Sequence, residues 1–359
     1  MLKSFRYVLF PFAFLHWLIV CFRNFLFDKK IVKSATFNFP IICVGNIAVG
    51  GTGKTPMTEY LIDLLKTNYR VATLSRGYKR RTKGFAIATS ASTPLEIGDE
   101  PMQLLNKHSD ITVAVGEERL VAIPQILYLK PDTEVMLLDD AFQHRAVSAG
   151  LNILLTDCNN PYTRDFLFPT GDLRDNRSSV KRADIIVVTK CAADMSAKLK
   201  QSFINEINPL PHQKVLFTCL EYGTPYHLFD GSLRKIQSDD QLLLICGIAN
   251  PAPLKQYLNQ TVFSYEMKQY RDHHIFSSSD LEDILLHFDR IQSQGKYMLT
   301  TEKDAVRLDK FKPKIAGLPV YVLPVKHKFL FGEEDAFRHT VTAFIESYKQ
   351  PQQNFNRQI

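Results

Sequence analysis

An α/β fold with a mostly parallel sheet is predicted for this chain of 359 residues by two observations. Short apolar segments rich in β-formers recur through its first half, and segments with helical apolar spacing lie between several of them. Strands that alternate with helices join one sheet in parallel, and the helices then cover both faces. The predicted strands are 41–45, 70–75, 111–115, 134–139, 151–156 and 183–189.

The first predicted strand leads into a glycine-rich loop, Val-Gly-Gly-Thr-Gly-Lys-Thr at 49–55, and then into an amphipathic segment at 57–65. Backbone N–H groups of such a loop surround an anion, and the helix N-terminus adds positive potential. Lys54 would reach the β- and γ-phosphates, and the Thr55 hydroxyl would bind Mg²⁺. The pattern predicts a P-loop NTPase-like domain that binds the phosphates of a nucleotide through Gly50, Gly51, Thr52, Gly53, Lys54 and Thr55. It departs from the commonest pattern at Ala48, where a glycine is usual.

The N-terminal segment 1–33 is basic and rich in aromatic residues, and it carries +5 of the net charge of +7. Residues 7–21 contain no formal charge, which is short of the roughly 20 residues that a spanning helix needs. Aromatic and cationic side chains together favour the headgroup region of a membrane. We expect a helix that lies at a membrane surface, with a spanning helix and a buried core helix as alternatives, and we expect no nucleic acid partner.

The second half of the chain indicates a smaller α/β domain after a connecting segment that contains several prolines and glycines. Its predicted strands are 242–246, 261–266, 296–300 and 320–325, and its predicted helices are 252–259, 279–291 and 333–348. The expected organisation is an N-terminal membrane-interface helix, a kinase core, a linker, a smaller C-terminal domain and a flexible tail, at 1–33, 34–212, 213–240, 241–349 and 350–359. The six cysteines include no close pair, so free thiols in a reducing compartment are expected.

Two acidic pairs could carry chemistry. Asp139 and Asp140 end an apolar strand, which is where phosphate-loop enzymes hold Mg²⁺, although an aspartate also caps turns. Asp99 and Glu100 precede a helix, where they could activate an acceptor hydroxyl or could be an ordinary N-cap. A segment at 271–274, Arg-Asp-His-His, offers a proton relay, and a segment at 300–304 is either a polar turn or part of a cleft.

Taken in order, these motifs resemble those of the tetraacyldisaccharide 4'-kinases, which act in lipid A synthesis. The resemblance covers the chain from the N-terminal segment to about residue 330, and it includes a phosphate loop without the first glycine. One departure is Ala141, where the family more often has glycine. The matching motifs are 44–56, 75–78, 98–101, 139–144, 171–174, 246–251, 272–273 and 301–304.

The resemblance implies transfer of the γ-phosphoryl group of ATP to the 4'-hydroxyl of a lipid A disaccharide 1-phosphate, at the cytoplasmic face of the bacterial inner membrane. By position, Asp99 matches the catalytic base and His273 its partner. The region around Mg²⁺ is matched by Thr55, Glu100 and the Asp139–Asp140 pair, with Thr55, Glu100 and Asp139 as the expected ligands. Lys54, Asp139 and Asp140 are expected to act in catalysis together with Asp99 and His273. The implied residues for the lipid headgroup are Tyr78, Arg119, His144 and Arg174.

Two other functions are compatible with a phosphate loop alone. One is a membrane-peripheral P-loop ATPase that phosphorylates no substrate, and the other is a soluble small-molecule kinase whose N-terminus is part of its core. The aromatic and basic residues of 1–33 argue against the soluble kinase. We expect a monomer.

Overall fold

The computed structural model describes residues 6–293 and 295–349. The predicted flexible tail at 350–359 and the first five residues of the N-terminal segment lie outside the described residues.

A large sheet forms the body of the molecule, and its central strands are parallel, as the sequence predicts. Its two edge strands, Val325–Phe329 and Ala86–Ile87, are antiparallel to their neighbours. In spatial order the strands are Val325–Phe329, Lys214–Tyr222, Ile185–Thr189, Leu151–Asp157, Ile41–Gly45, Val135–Asp139, Val71–Ser75, Thr112–Val115 and Ala86–Ile87.

Both faces of this sheet are buried, which explains why its strands are continuously apolar in sequence. Successive residues of a strand point to opposite faces. Accordingly Ile41 and Cys43 pack in one apolar core, and Ile42 and Val44 pack in the other. The helices of this part of the chain are Lys54–Leu65, Pro94–Ile97, Asp99–Lys107, Arg119–Leu129 and Ala197–Ile207.

A small sheet follows in the second half, with its own apolar cores on both faces. Its spatial order is Ser264–Gln269, Gln241–Cys246, Tyr297–Thr301, Val320–Leu323 and Tyr226–His227, and only the last strand is antiparallel. The helices around it are Ala252–Thr261, Ser278–Arg290, Glu302–Leu308 and Lys312–Ile315.

The chain returns to the large sheet at its end. The predicted strand 320–325 is two strands, because Pro324 lacks the N–H that a continuous ladder needs. Val320–Leu323 stays in the small sheet, whereas Val325–Phe329 joins the large one. The following helix, Glu334–Ser347, buries Phe337, Val341 and Ile345 in a core of the large sheet.

Some segments therefore belong to a different sheet from the one that the expected domain ranges imply. Within the expected linker, Lys214–Tyr222 is a strand of the large sheet and Tyr226–His227 is a strand of the small sheet. The strand expected at 261–266 begins at Ser264, because the preceding helix continues to Thr261. The division into domains itself stays a prediction.

The N-terminal helix, Phe10–Asp28, lies against the large-sheet unit by a narrow polar edge. Asn24 donates a hydrogen bond to Asp175 at 2.8 Å, and the ring of His16 lies 2.9 Å from the carbonyl of Phe168. Only Ala13, Val20 and Asn24 are buried, and its other large apolar side chains are exposed or half-buried. Among the described residues, this helix alone is long and apolar enough to cross a membrane by length and composition.

Candidate active site

A cleft of about 1180 Å³ lies between the two sheets. That volume exceeds the range of roughly 300–1,000 Å³ that is usual for small-molecule pockets. One wall comes from the carboxyl ends of the large-sheet strands, where ligands of parallel sheets usually bind. The other wall comes from loops of the small sheet, including Ile248, His273 and Lys303.

The glycine-rich loop occupies the large-sheet wall in the strand–loop–helix context that the sequence predicts. Gly50 and Gly53 have φ values of +100° and +87°, a left-handed region that favours glycine. The helix begins at Lys54, so its free N–H groups and its positive end face the cleft. Thr52 is an exception among the predicted loop residues, because its hydroxyl accepts a hydrogen bond from Asn46 and does not line the cleft.

His327 supports this loop from beneath, although no motif in the sequence points to it. Its Nε2 donates to the carbonyl of Gly53 at 2.9 Å, and its Nδ1 lies 2.9 Å from the Thr218 hydroxyl. A Cβ at Gly53 would lie 2.9 Å from this ring, so the position requires glycine on steric grounds as well. Burial lowers the pKa of His327 to about 4, which keeps the ring neutral.

Asp139 and Asp140 lie beside the loop but have different environments. Asp139 is buried, and its described side-chain hydrogen bond comes from Thr58 at 3.4 Å. Burial and the neighbouring Asp140 raise the pKa of Asp139 to about 7. Burial also opposes ionisation of Asp140, but Lys54 at 3.8 Å and Arg174 at 2.7 Å outweigh it and lower the pKa of Asp140.

Asp99 and His273 join the two sheet units beside the cleft. Nδ1 of His273 lies 2.8 Å from Oδ2 of Asp99, and the same oxygen accepts hydrogen bonds from Arg307 at 2.7 and 3.0 Å. Burial alone would raise the pKa of Asp99, but the bonds from His273 and Arg307 prevail and lower it. The ring of His273 lines the cleft, whereas Asp99 does not. Asp99 therefore orients the ring, and the ring faces the cleft.

Lys303 completes the small-sheet wall. Its ammonium lies 2.9 Å from Nε2 of His273, 3.3 Å from Glu100 and 3.2 Å from Asp272. Glu100 belongs to the large-sheet unit and follows Asp99, while Lys303 and Asp272 belong to the small-sheet unit. The contact thus joins both walls of the cleft.

Two of the predicted catalytic residues have strained backbones. Asp140 has a φ of +49° and His273 a φ of +61°. A left-handed conformation costs a residue other than glycine roughly 1–2 kcal/mol, and such outliers cluster at functional sites. Ala141 does not share this conformation, so its methyl group is compatible with the turn.

The residues that the resemblance implies for the lipid headgroup all line the cleft. Arg119 is buried and donates to the carbonyl of Gly116 at 2.7 Å. Burial, together with Arg119 and Arg76, lowers the pKa of His144. Arg174 bonds to Asp140 and to Asn46, and the exposed ring of Tyr78 packs edge-on against His273 with centroids 5.2 Å apart.

The predicted site residues thus converge on one cleft. Those that line it are Gly50, Gly51, Gly53, Lys54, Thr55, Tyr78, Glu100, Arg119, Asp139, Asp140, His144, Arg174 and His273. Arg307 and His327 were missed, and Lys303 was considered only within its motif. Helical spacing is the sequence signal that could have identified Arg307. Lys303 and Arg307 are four residues apart, so they share one face of a helix. Nothing in the sequence pointed to His327.

The Mg²⁺ prediction fits the donors at this site. Mg²⁺ usually binds one or two carboxylates and keeps waters and substrate phosphates as its other ligands. Asp139 offers a buried carboxylate with little hydrogen bonding of its own, and Thr55 and Glu100 line the same cleft. No group of three or more His, Cys, Asp or Glu side chains that could hold a metal occurs in the described part of the chain, so no dedicated all-protein metal cage occurs there.

Comparison with known proteins gives one consistent answer. Residues 5–346 match the family model described as tetraacyldisaccharide-1-P 4'-kinase. A tetraacyldisaccharide 4'-kinase of Bacteroides fragilis is 43% identical over 347 residues, which are 94% of this chain and 92% of that protein. Another, of Flavobacterium johnsoniae, is also 43% identical, over 96% of this chain and 99% of that protein.

A solved structure is similar over the same extent. The "apo" form of LpxK from Aquifex aeolicus, crystallised in complex with ATP, superposes with a TM-score of 0.74 at 29% identity. The match covers 96% of this chain and 100% of the other. The predicted α/β fold with a phosphate loop is confirmed by this likeness.

Proposed function

The chain belongs to the tetraacyldisaccharide-1-P 4'-kinase family, and we propose that its cleft is where the γ-phosphoryl group of ATP passes to the acceptor hydroxyl. As a member it is an ATP-dependent lipid A 4'-kinase, and its substrate is a lipid A disaccharide phosphate. The observation that carries the assignment of the site is the 2.8 Å contact between Asp99 and His273 beside the phosphate loop.

The donor half of the reaction needs positioning and charge stabilisation more than covalent chemistry. We propose that the loop residues 50–55 hold the phosphates, and that Lys54 stays near the γ-phosphoryl group while it is transferred. The pairing of Arg174 and Lys54 with Asp140 keeps that carboxylate ionised, which orients both cations at the loop. Thr55, Asp139 and Glu100 are the residues proposed to hold Mg²⁺. When bound, the ion would neutralise charge on the β- and γ-phosphate oxygens.

The acceptor half needs a group that takes a proton from the 4'-hydroxyl. A hydrogen bond from Nδ1 of His273 to Asp99 leaves Nε2 as the ring atom that can accept. The resemblance implies Asp99 as the base, but Asp99 does not line the cleft and His273 does, so the proposed base is Nε2 of His273. It accepts the hydroxyl proton as the oxygen forms its bond to phosphorus and the bridging P–O bond of ATP breaks, which releases ADP. The ionised Asp99 then stabilises the imidazolium, and a positioned base of this kind contributes roughly 10²–10⁴-fold to the rate.

The N-terminal helix supports a membrane location. We propose that residues 1–33 bind the membrane surface at the cytoplasmic face of the bacterial inner membrane, where ATP and the lipid acceptor are both available. Its exposed aromatic side chains and flanking cations suit the headgroup boundary. Arg23 from this helix also lines the cleft, so the surface and the site are continuous.

We also propose that the two sheet units act as domains whose closure assembles the site, and that the protein acts as a monomer. Because Asp99 and His273 belong to different units, opening the cleft would separate them. Family membership argues against the predicted alternative, a P-loop ATPase that phosphorylates no substrate.

One assay tests the proposed function. The protein is incubated with Mg-ATP and lipid A disaccharide 1-phosphate in detergent, and the lipid is analysed for a second phosphate at the 4'-position. We expect stoichiometric transfer, with ADP formation dependent on lipid. ADP formation that ignores the lipid, with no phosphorylated product, would favour the ATPase alternative.

A further inference from the structure

Lys303 belongs to a motif whose chemistry the proposed mechanism does not use. Its side chain is 23% exposed, and its ammonium contacts His273, Glu100 and Asp272 within 3.3 Å. An ordinary ion pair would need only the two carboxylates. The third contact, at 2.9 Å from Nε2 of His273, is the one that bears on the reaction.

The partners of the His273 ring decide which of its nitrogens carries the proton. Nδ1 lies 2.8 Å from Oδ2 of Asp99, an oxygen that also accepts two hydrogen bonds from Arg307 and therefore acts as an acceptor. Nε2 lies 2.9 Å from the Lys303 ammonium, which can only donate. Arg307, also a pure donor, lies 3.2 Å from Nδ1, which is farther than Asp99. A proton on Nδ1 and a lone pair on Nε2 satisfy both short contacts.

The alternative tautomer fails at both nitrogens. A proton on Nε2 would face the ammonium, since the nearest carboxylate oxygens to Nε2, on Asp272 and Glu100, are 3.8 and 3.9 Å away, too far for a hydrogen bond. The unprotonated Nδ1 would lose its 2.8 Å contact with the Asp99 carboxylate, another acceptor, and would keep only the longer contact with Arg307 at 3.2 Å. A doubly protonated ring has the same conflict with Lys303.

We propose that Lys303 is a positioning residue that holds His273 in the Nδ1–H tautomer and keeps Nε2 free to accept the proton of the acceptor hydroxyl. The ammonium occupies the place at Nε2 that the hydroxyl takes when the lipid binds, and Glu100 and Asp272 hold the displaced ammonium nearby. This inference rests on the proposed function, because it concerns the same ring. Lys303 acts through His273 and makes no bond to phosphorus.

The test compares two substitutions of Lys303 with the substitution of a control lysine in the same sheet unit. Lys303→Met keeps the aliphatic stem and removes the donors, and Lys303→Arg keeps donors and charge. Lys268→Met is the control, because Lys268 lies in the same sheet unit and pairs only with Asp283 at 2.7 Å among its described polar contacts. The melting temperature of each variant checks that it folds.

Two readouts distinguish a positioning role of Lys303 from a role in stabilising the fold alone. The first is steady-state kinetics with the lipid acceptor, for which Lys303→Met should lower kcat about 10- to 100-fold without raising KM, as expected for a misplaced reacting group. Lys303→Arg should recover most of that loss. The second is the ¹⁵N NMR spectrum of histidine-labelled protein, in which the His273 signal is assigned by its loss in His273→Gln. It should show the Nδ1–H tautomer in the wild type and a mixture in Lys303→Met.

A Lys303→Met protein with wild-type kcat, or with an unchanged tautomer, overturns the inference. If His273→Gln itself keeps full turnover, the proposed function of the Asp99–His273 pair fails instead. If His273→Gln is inactive while Lys303→Met is unaffected in both readouts, only the role of Lys303 is rejected.

Discussion

Nδ1 of His273 lies 2.8 Å from the carboxylate of Asp99, although 174 positions separate the two residues in the chain. His273 lies in the loop that follows the small-sheet strand Ser264–Gln269, and Asp99 begins a helix beside the large sheet. The ring of His273 lines the same cleft as the phosphate loop. The arrangement brings an oriented ring nitrogen and a nucleotide-phosphate site into one cavity.

Asp99→Asn should lower kcat by roughly 10²–10⁴-fold. A neutral amide neither stabilises the protonated imidazolium nor orients the ring as the carboxylate does. ATP binding, measured by calorimetry, should stay near that of the wild type, since Asp99 does not line the cleft. Asp110→Asn, a change at an exposed aspartate in the loop that follows the same helix, is the control. Equal losses in both variants would contradict the specific role of Asp99.

His327→Leu should weaken both the fold and the ATP site, because leucine has no N–H group and the Gly53 carbonyl then loses its buried donor. Leaving a buried polar group unsatisfied costs roughly 1–3 kcal/mol. We expect a lower free energy of unfolding in urea and a raised Kd for ATP, with little further change in kcat at saturating ATP. A variant with wild-type ATP affinity would show that the loop does not need this support.

The neutral state of His327 also predicts a pH dependence. Its pKa is about 4 in the folded protein against roughly 6.5 when unfolded, so the unfolded chain binds more protons between those values. Stability from this group is complete above the unfolded pKa and is lost as pH falls towards 4. The loss between pH 7.5 and pH 5 should be about 2 kcal/mol in the wild type and absent from His327→Leu. Urea unfolding at pH 7.5 and at pH 5 gives the free energy of unfolding of each protein at both pH values. The same change between the two pH values in both proteins would contradict the prediction.

Substitutions in the buried ion triad of Lys107, Glu59 and Glu302 should differ in how much they lower stability. Lys107 lies 2.6 Å from Glu59 on the phosphate-loop helix and 2.6 Å from Glu302 in the small-sheet unit. Burial and Glu302 raise the pKa of Glu59, which makes its ionised form less favourable, so Glu59→Gln should cost less than removal of the cation. Lys107→Met leaves the carboxylates without their cation and should destabilise by roughly 3–5 kcal/mol. Thermal melts at pH 7 compare the two, and a larger loss in Glu59→Gln would contradict this account.

The exposed face of the N-terminal helix should decide membrane binding. Phe22 is 64% exposed on that helix, and Phe263 is 74% exposed beside the small sheet, which makes it a matched control. Phe22→Asp should reduce co-sedimentation with vesicles that contain acidic phospholipid, because a charge replaces an aromatic ring at the headgroup boundary. Phe263→Asp should not. Equal binding of Phe22→Asp and wild type would count against the proposed surface.

Much of this architecture could be predicted from local sequence. The phosphate loop is contiguous, so its strand, glycines and helix are readable together, and Asp139 was located by the apolar strand that it ends. The contacts that join the two units could not be read in the same way. His327 and Arg307 act on Gly53 and Asp99 from positions 274 and 208 residues away. The return of the chain to the large sheet after Pro324 is likewise a matter of tertiary packing, which no local pattern records.

The central claim is that the Asp99–His273 pair activates the acceptor hydroxyl in this cleft. The most direct measurement follows label from γ-³²P-ATP into lipid A disaccharide 1-phosphate for the wild type and for His273→Gln, with ATP affinity measured in both proteins. We predict that His273→Gln binds ATP as the wild type does but labels the lipid at least about 100-fold more slowly. Equal labelling rates in the two proteins would contradict the account.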